Sequence, residues 1–528
     1  MTADFDVIIV GSGPAGVSAA LPLVTAGLRV LMVDGGSSQT VAYPEVDYLT
    51  LRTSSDQQWR SMVGGDFLAL NRRDAVSPKL RVPSHAFAFD DFQSRNRIQS
   101  EEFVAMGSLA TGGLSNAWGC GVGRYSSQEL ADFPFAADEL DASYRRVCRR
   151  IGVSGQAGDD MSGYLGLDDC LQPPIPMDAL HEGIYDAYVR RRHRLNSGGF
   201  MLGRSRVAAL SQALGERQAC SLSGNCLWGC ARRSLYSANE DRASLLRHEN
   251  FREMRGFLVD GVSRTGAYWT VRGGLAKDKK TSISARKVLL AAGTLATTRI
   301  VLCALELREK IRLLSCPTAA FMLWLPHYLG RSSGPGFALG QHSFALQLSG
   351  GYTAFGSTFS TTGIPVTEFL RAVPLRRRYG VDLLRVLLSS CVVGNVFLPG
   401  RLSNAEVVLQ SDDSLKVAGS YSDLVSEVFA EARKVLRSSY LSMGAVMLPR
   451  SFTVGRPGSD IHYAGTLPMR RSPSRGETDA YGEVAGLKDL HVVDGACLSS
   501  LSEKSHTLTI MANADRIAHH LTQALCSR

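Results

Sequence analysis

Residues 6–16 read Asp6-Val-Ile-Ile-Val10-Gly11-Ser12-Gly13-Pro14-Ala15-Gly16, a short apolar run that breaks into a glycine-rich turn. A helical stretch follows from Val17 to Ala26, then a second strand-like run from Leu28 to Val33 that ends on Asp34. Strand, Gly-x-Gly-x-x-Gly turn, helix, strand and terminal acid together predict a βαβ dinucleotide-binding unit. Gly11 permits the tight turn, Gly13 lets the backbone approach a pyrophosphate, and Gly16 lets helix and strand pack closely. Pro14 and Ala15 complete the turn, and the helix start supplies free N–H groups and a positive dipole end. Asp34 stands where an acid grips a ribose.

Two later stretches repeat the pattern of a buried strand running into glycine. Ser284 to Leu290 runs into Ala291-Ala292-Gly293-Thr294, and Leu490-His491-Val492-Val493 into Asp494-Gly495. Three such junctions spread along the chain suggest one long cofactor gripped from several places, which suits FAD better than NAD.

At this point the chain resembles the glucose–methanol–choline (GMC) oxidoreductases. The resemblance rests on the first turn with Asp34, then Gly112-Gly113-Leu114-Ser115-Asn116-Ala117-Trp118-Gly119, then Leu289 to Thr294. It continues through His462-Tyr-Ala-Gly465-Thr466-Leu-Pro-Met469, Val493-Asp494-Gly495 and Ser505-His506-Thr507, all in family order. Phe133-Pro-Phe135, Glu139-Leu140, Tyr144 and Gly152 to Gly155 are similar to the branch of sugar dehydrogenases and pyranose oxidases. The resemblance implies an α/β (α+β overall) fold: a Rossmann-like FAD-binding domain with an inserted substrate domain of antiparallel sheet and helices. The cofactor-contacting set it implies comprises Gly11, Gly13, Pro14, Ala15, Gly16, Asp34, Gly113, Ser115, Asn116, Ala292, Gly293, Asp494, Gly495 and Thr507. No His or Cys stands immediately around Ser115, so the FAD is expected to be non-covalent.

Oxidising an alcohol at a flavin requires a base for the hydroxyl proton and a second group to hold the developing alkoxide. Histidine suits the first role because its pKa lies near neutrality. By resemblance, His462 is the base and His506 its neighbour at the alkoxide, whereas His491, on a predicted strand, reads as structural.

Cysteine usage adds a second feature. Eight of the eleven cysteines are scattered, and most of them read as small buried hydrophobes rather than a disulfide framework. The other three cluster as Cys220-x5-Cys226-x3-Cys230, with Gly224 and Gly229 to bend the chain. Three thiolates suit a 3Fe–4S cluster better than structural zinc, which prefers four ligands. Inert thiols, a disulfide and zinc remain open alternatives. The spacing and its place in the chain are similar to cluster-bearing sugar dehydrogenases of the family.

The 45% hydrophobic content of the 528 residues supplies ample core. No stretch has the plan of a signal peptide, and Val381 to Leu398, the longest apolar region, is interrupted by Asp382, Arg385, Gly394 and Asn395. The expectation is therefore a cytoplasmic, non-transmembrane protein, or a periplasmic one carried by a partner subunit. Net charge is +9, with clusters at Arg190 to Arg194 and Arg376 to Arg378. These read first as solvated faces, with an anionic membrane surface or an acidic partner as alternatives. No recognition module accompanies them, which argues against nucleic acid.

From about Ile311 the cofactor motifs stop. Ala345 to Ser360 reads as β-structure, Asn404 to Ala418 as a hairpin turning at Ser411 to Ser414, and Tyr421 to Leu441 as an amphipathic helix. In that helix Leu424, Val428, Ala432, Val435 and Leu436 share the apolar face. The expected organisation is an FAD-binding domain over 1–310, completed by 446–528, with a substrate domain over 311–445. The leading functional expectation is an FAD-dependent dehydrogenase of a sugar or polyol-like substrate. Electrons would leave through the cluster to an external acceptor, a small subunit or a cytochrome. An O2-using oxidase with structural cysteines and a non-redox lyase are the alternatives.

Overall fold

The computed structural model describes residues 4–38, 77–274, 280–331, 334–361, 363–364, 366–370 and 373–526, together with 43, 46, 50, 54–56 and 64–65. The expected βαβ unit is present: strand Phe5–Val10, helix Pro14–Thr25 and strand Val30–Asp34. Five parallel strands form the heart of an eight-stranded sheet, in the order Leu487–Val492, Lys280–Leu290, Phe5–Val10, Val30–Asp34 and Phe251–Arg255. A parallel sheet is covered on both faces, which is why its central strand is continuously apolar. Val7, Ile8 and Ile9 are fully buried. The antiparallel hairpin of Leu258–Thr265 and Tyr268–Gly274 extends the sheet from Lys280–Leu290. Helix Pro14–Thr25 packs against the last helix, Thr507–Cys526, so the first turn and the last motif share one layer.

Because these strands run in parallel, their carboxyl ends lie along one edge. Gly11, Asp34, Ala291 and Val493 all stand there, the position at which open α/β sheets bind ligands. The protein is thus a mixed α/β structure with a Rossmann-like FAD-binding domain.

A second, seven-stranded antiparallel sheet covers that edge. Its main path runs Val446–Met447, Thr318–Trp324, Cys391–Phe397, Thr353–Ser360, His342–Gln347, Phe200–Arg204. It draws on both sides of the boundary expected at 311, since Phe200–Arg204 pairs with His342–Gln347. The expected helix spans Leu424–Ser442 and turns Val425, Val428, Phe429, Ala432 and Leu436 into a separate apolar core. Leu424, expected on that face, is exposed at the first turn. The expected hairpin is also present: Ser403–Leu409 pairs with Leu415–Tyr421. It belongs to a third sheet of five strands that includes Ile311–Ser315 and Tyr463–Ala464.

One pair departs from the reading of the scattered cysteines as separate thiols. Cys148 and Cys170 form a disulfide, with their Cα atoms 6.2 Å apart. The cause is local: Val153–Ser154 pairs in parallel with Leu171–Gln172, which draws the two preceding segments to bonding distance.

Gly11 has φ of +107°, and a Cβ there would lie 2.2 Å from the Ala291 carbonyl oxygen. Gly11→Ala therefore combines a disfavoured backbone with an immovable clash, and should cost about 3 kcal/mol or more. Thermal unfolding of the variant measures this; a melting temperature like that of the parent contradicts the turn geometry.

Candidate active site

A cavity of about 810 Å³ lies between the carboxyl edge of the first sheet and the inner face of the second. At one end Gly11, Gly13, Pro14, Ala15 and Asp34 line it. Ser12 fixes this end, donating its hydroxyl to Asp34 Oδ2 and accepting from the Gly112 N–H at 3.0 Å. The other Asp34 oxygen, Oδ1, is buried without a hydrogen-bond partner. Burial raises the Asp34 carboxyl above the usual range, with the Ser12 hydroxyl opposing that rise. A buried acceptor left open beside a glycine cradle is what a ribose hydroxyl would satisfy.

The second glycine loop closes on the first. A Cβ on Gly113 would come within 3.1 Å of the Gly13 Cα, so the two backbones meet directly. Ser115 lines the cavity, but its hydroxyl is engaged with the Gly112 carbonyl and the Ala238 N–H. Asn116 stands behind the loop and outside the cavity lining, its amide donating to the carbonyls of Thr111 and Gly113. Gly16 also stays outside: a Cβ there would meet the Gly11 carbonyl oxygen at 1.9 Å. It serves helix–strand packing, as expected of the third glycine.

Ala292, Gly293, Asp494 and Gly495 meet further along. Asp494 accepts from the Gly293 N–H at 2.9 Å, the Thr297 hydroxyl at 2.5 Å and the Ala496 N–H at 3.0 Å. Burial nonetheless pushes its carboxyl up to about 6. Both of its oxygens are thus engaged within the protein. The His462 segment is tied to the same place, since the Thr294 hydroxyl donates to the Tyr463 carbonyl and the Gly465 N–H to the Gly495 carbonyl.

These ties bring His462 and His506 together at the cavity, with ring centroids 4.9 Å apart and planes at 75°. Phe397 of the second sheet packs on His462 at 5.3 Å. Burial lowers the His462 pKa to about 4 and, with His462 beside it, takes His506 well below its ordinary value. Both rings are therefore neutral at pH 7, and Nδ1 of each is buried without a partner. Thr507, also at the wall, begins the last helix. His491 instead faces Tyr481 and Glu483 on its strand, away from the cavity.

Asp460 carried no sequence signal, yet it organises the approach to His462. It accepts the Ser315 hydroxyl and the N–H groups of Cys316 and His462, and burial pushes its carboxyl up to about 7. Ile461, between the two, has φ of +58°, a conformation that β-branched residues avoid.

The three clustered cysteines lie outside the cavity lining. Gly224 and Gly229 bend their loop as expected, with φ of +71° and +119°. The three thiols are near enough to act on one another electrostatically but are not all within the spacing of ligands on one ion: among the described residues only Cys316, Asp460 and His462 bring three donor atoms within 4.8 Å of one another. That spread argues against a single zinc ion. Burial raises the thiols of Cys220 and Cys226, while Arg232 opposes the rise at Cys220. Cys120, absent from the expected set, lines the cavity beside Lys79. Burial pushes the Cys120 thiol up to about 12 and the Lys79 amine down to about 8.

Comparison with known proteins agrees with this geometry at two places. Residues 425–514 match the family model for GMC oxidoreductase, and residues 5–86 that for pyridine nucleotide-disulphide oxidoreductase. No curated protein matches in sequence. Among solved structures the fold is similar to that of pyridoxine 4-oxidase from Mesorbium loti. That likeness has a TM-score of 0.57 at 14% identity and covers 98% of this chain and 99% of that one. The segment that carries both cavity histidines thus lies within the stretch that matches the GMC oxidoreductase model.

Proposed function

We propose that the protein is an FAD-dependent oxidoreductase that converts a carbinol group to a carbonyl. The observation that carries this reading is the buried, neutral histidine pair at the far end of a glycine cradle from an open acidic acceptor. Asp34, Gly11, Gly13 and Gly113 suit the dinucleotide, and Ala292 and Gly293 suit its approach to the histidines. FAD, when bound, supplies the hydride acceptor. His462 accepts the hydroxyl proton, which its neutral ring permits. His506 holds the alcohol oxygen by a hydrogen bond as negative charge develops there. The second sheet covers the site and keeps water away from the reacting carbon.

The substrate side of the cavity combines Phe355, Phe359, Phe369 and Phe397 with Ser357 and Asn395. Aromatic walls with a few polar groups suit a hydroxyl-bearing ring, which keeps a sugar or polyol-like substrate as our first reading. The weight of phenylalanine favours a second, a ring alcohol with an apolar face.

For electron exit we propose an external acceptor reached through a 3Fe–4S cluster on Cys220, Cys226 and Cys230. Lys79, whose charge acts on Cys120 and Cys226, and Arg232, whose charge acts on Cys220, would favour the added negative charge. The rival reading is an oxidase that returns electrons to O2.

His462→Ala should leave FAD bound and slow its reduction by substrate at least ~100-fold in stopped-flow measurements. His506→Asn should be milder than His506→Ala, because an amide still donates; equal losses contradict the alkoxide role. The sign of the pH dependence follows from burial. A neutral base is lost only as pH falls through its own pKa, so flavin reduction should hold down to about pH 5 and fail near pH 4. An acid limb near the ordinary histidine value contradicts that environment. Cys226→Ser should spare flavin reduction and abolish turnover with one-electron dyes. Retained dye turnover, or peroxide formed as fast as dye is reduced, selects the oxidase.

A further inference from the structure

The basic run at Arg376 to Arg378 leads into the helix Arg377–Leu387. Its inner face is accounted for: Gly380 and Leu384 are buried, and Gly380 packs close against Leu370 and Val373. The outer face is not. Tyr379, Leu383 and Val386 recur at helical spacing along one exposed stripe, and are 60%, 46% and 57% exposed. Leu375, just before the helix, is 51% exposed. Four of the eleven large apolar side chains exposed among the described residues thus fall between Leu375 and Val386. Scattered apolar exposure is ordinary in a protein surface, but such concentration marks a contact surface.

Charge identifies the partner. Arg376, Arg377, Arg378 and Arg385 are exposed around the stripe, against a single acid, Asp382, which lies 3.9 Å from Arg385. An apolar stripe edged with arginines is the pattern of a helix lying in the plane of a membrane interface. Its apolar side chains enter the acyl boundary while the guanidinium groups meet anionic headgroups. The other basic run, Arg190 to Arg194, lacks this plan: Arg192 is paired with Asp160, and Val189 is its only exposed large apolar neighbour among the described residues. No helix among the described residues is long and apolar enough to cross a membrane, so this contact is peripheral.

We propose that the stripe Leu375, Tyr379, Leu383 and Val386, with Arg376 to Arg378 and Arg385, docks the protein on an anionic phospholipid surface. The adjoining helix Val366–Leu370 packs on the docking helix, and its Glu368 and Phe369 line the cavity. Docking therefore brings a cavity wall close to the lipid.

Flotation of the full, FAD-loaded chain with vesicles tests this independently of the reaction assigned above. The wild type should float with vesicles of phosphatidylglycerol and phosphatidylcholine, release as salt rises, and stay behind with phosphatidylcholine alone. The triple variant Arg376→Gln, Arg377→Gln, Arg378→Gln should lose at least ~10-fold in partitioning. Tyr379→Ser with Leu383→Ser and Val386→Ser should lose as much. Both sets replace exposed side chains, so melting temperature and flavin content should stay at wild-type values. Failure of the wild type to float, equal flotation with neutral vesicles, or undiminished flotation of either variant overturns the proposal. So does sedimentation showing that the stripe joins two copies of the chain and that its serine variants only dissociate them.

Discussion

Asp494 holds the site together. Its buried carboxyl joins the turn after Lys280–Leu290 to the turn after Leu487–Val492, accepting three hydrogen bonds from the two segments and the helix between them. Removing it would leave the buried Ala496 N–H and the buried Thr297 hydroxyl without an acceptor, each costing about 1–3 kcal/mol, and would free the Gly293 N–H as well. The glycines nearby work to the same end by omission. A Cβ on Gly495 would meet the Thr294 hydroxyl and the Tyr463 carbonyl at 2.7 Å, so the His462 segment can approach only because none is there. Strand ends, glycine turns and one carboxyl thus fix where the histidines stand.

That placement sets their chemistry. Two imidazoles 4.9 Å apart in an apolar wall cannot both carry charge, and burial favours the neutral form of each. A neutral ring at a cavity wall can accept a proton from a hydroxyl placed beside it. Asp460 secures the segment through the His462 N–H, and Ile461 carries a backbone conformation costing of order 1–3 kcal/mol. Strain of this kind persists where surrounding contacts over-determine the chain, and here it adjoins the site.

The sequence made the first sheet legible because its signals are local: Gly11, Gly16 and Asp34 act within one βαβ unit. It made the histidines legible only through resemblance, since 44 residues separate them and no periodicity joins them. The helix at Leu424–Ser442 and the hairpin after Ser403 were readable from pattern alone. The joining of Phe200–Arg204 to the second sheet was not, because strand pairing over such separations leaves no mark on composition. Asp460 and Lys79 likewise gave no signal; their proximity to the site is a product of tertiary packing. Asn116 lay inside a recognisable motif, yet its amide serves the loop behind the cavity. A motif reports which segment is close, not which way each side chain turns.

In the proposed reaction the histidines face a bound flavin and an alcohol together. Anaerobic mixing of the purified protein with ring alcohols and polyols, followed by the visible absorption of its flavin, tests it most directly. At least one alcohol should bleach the flavin, and deuterium on the carbinol carbon should slow the bleaching. Protein that binds no flavin, or flavin that dithionite bleaches while every alcohol leaves it untouched, would overturn that reaction.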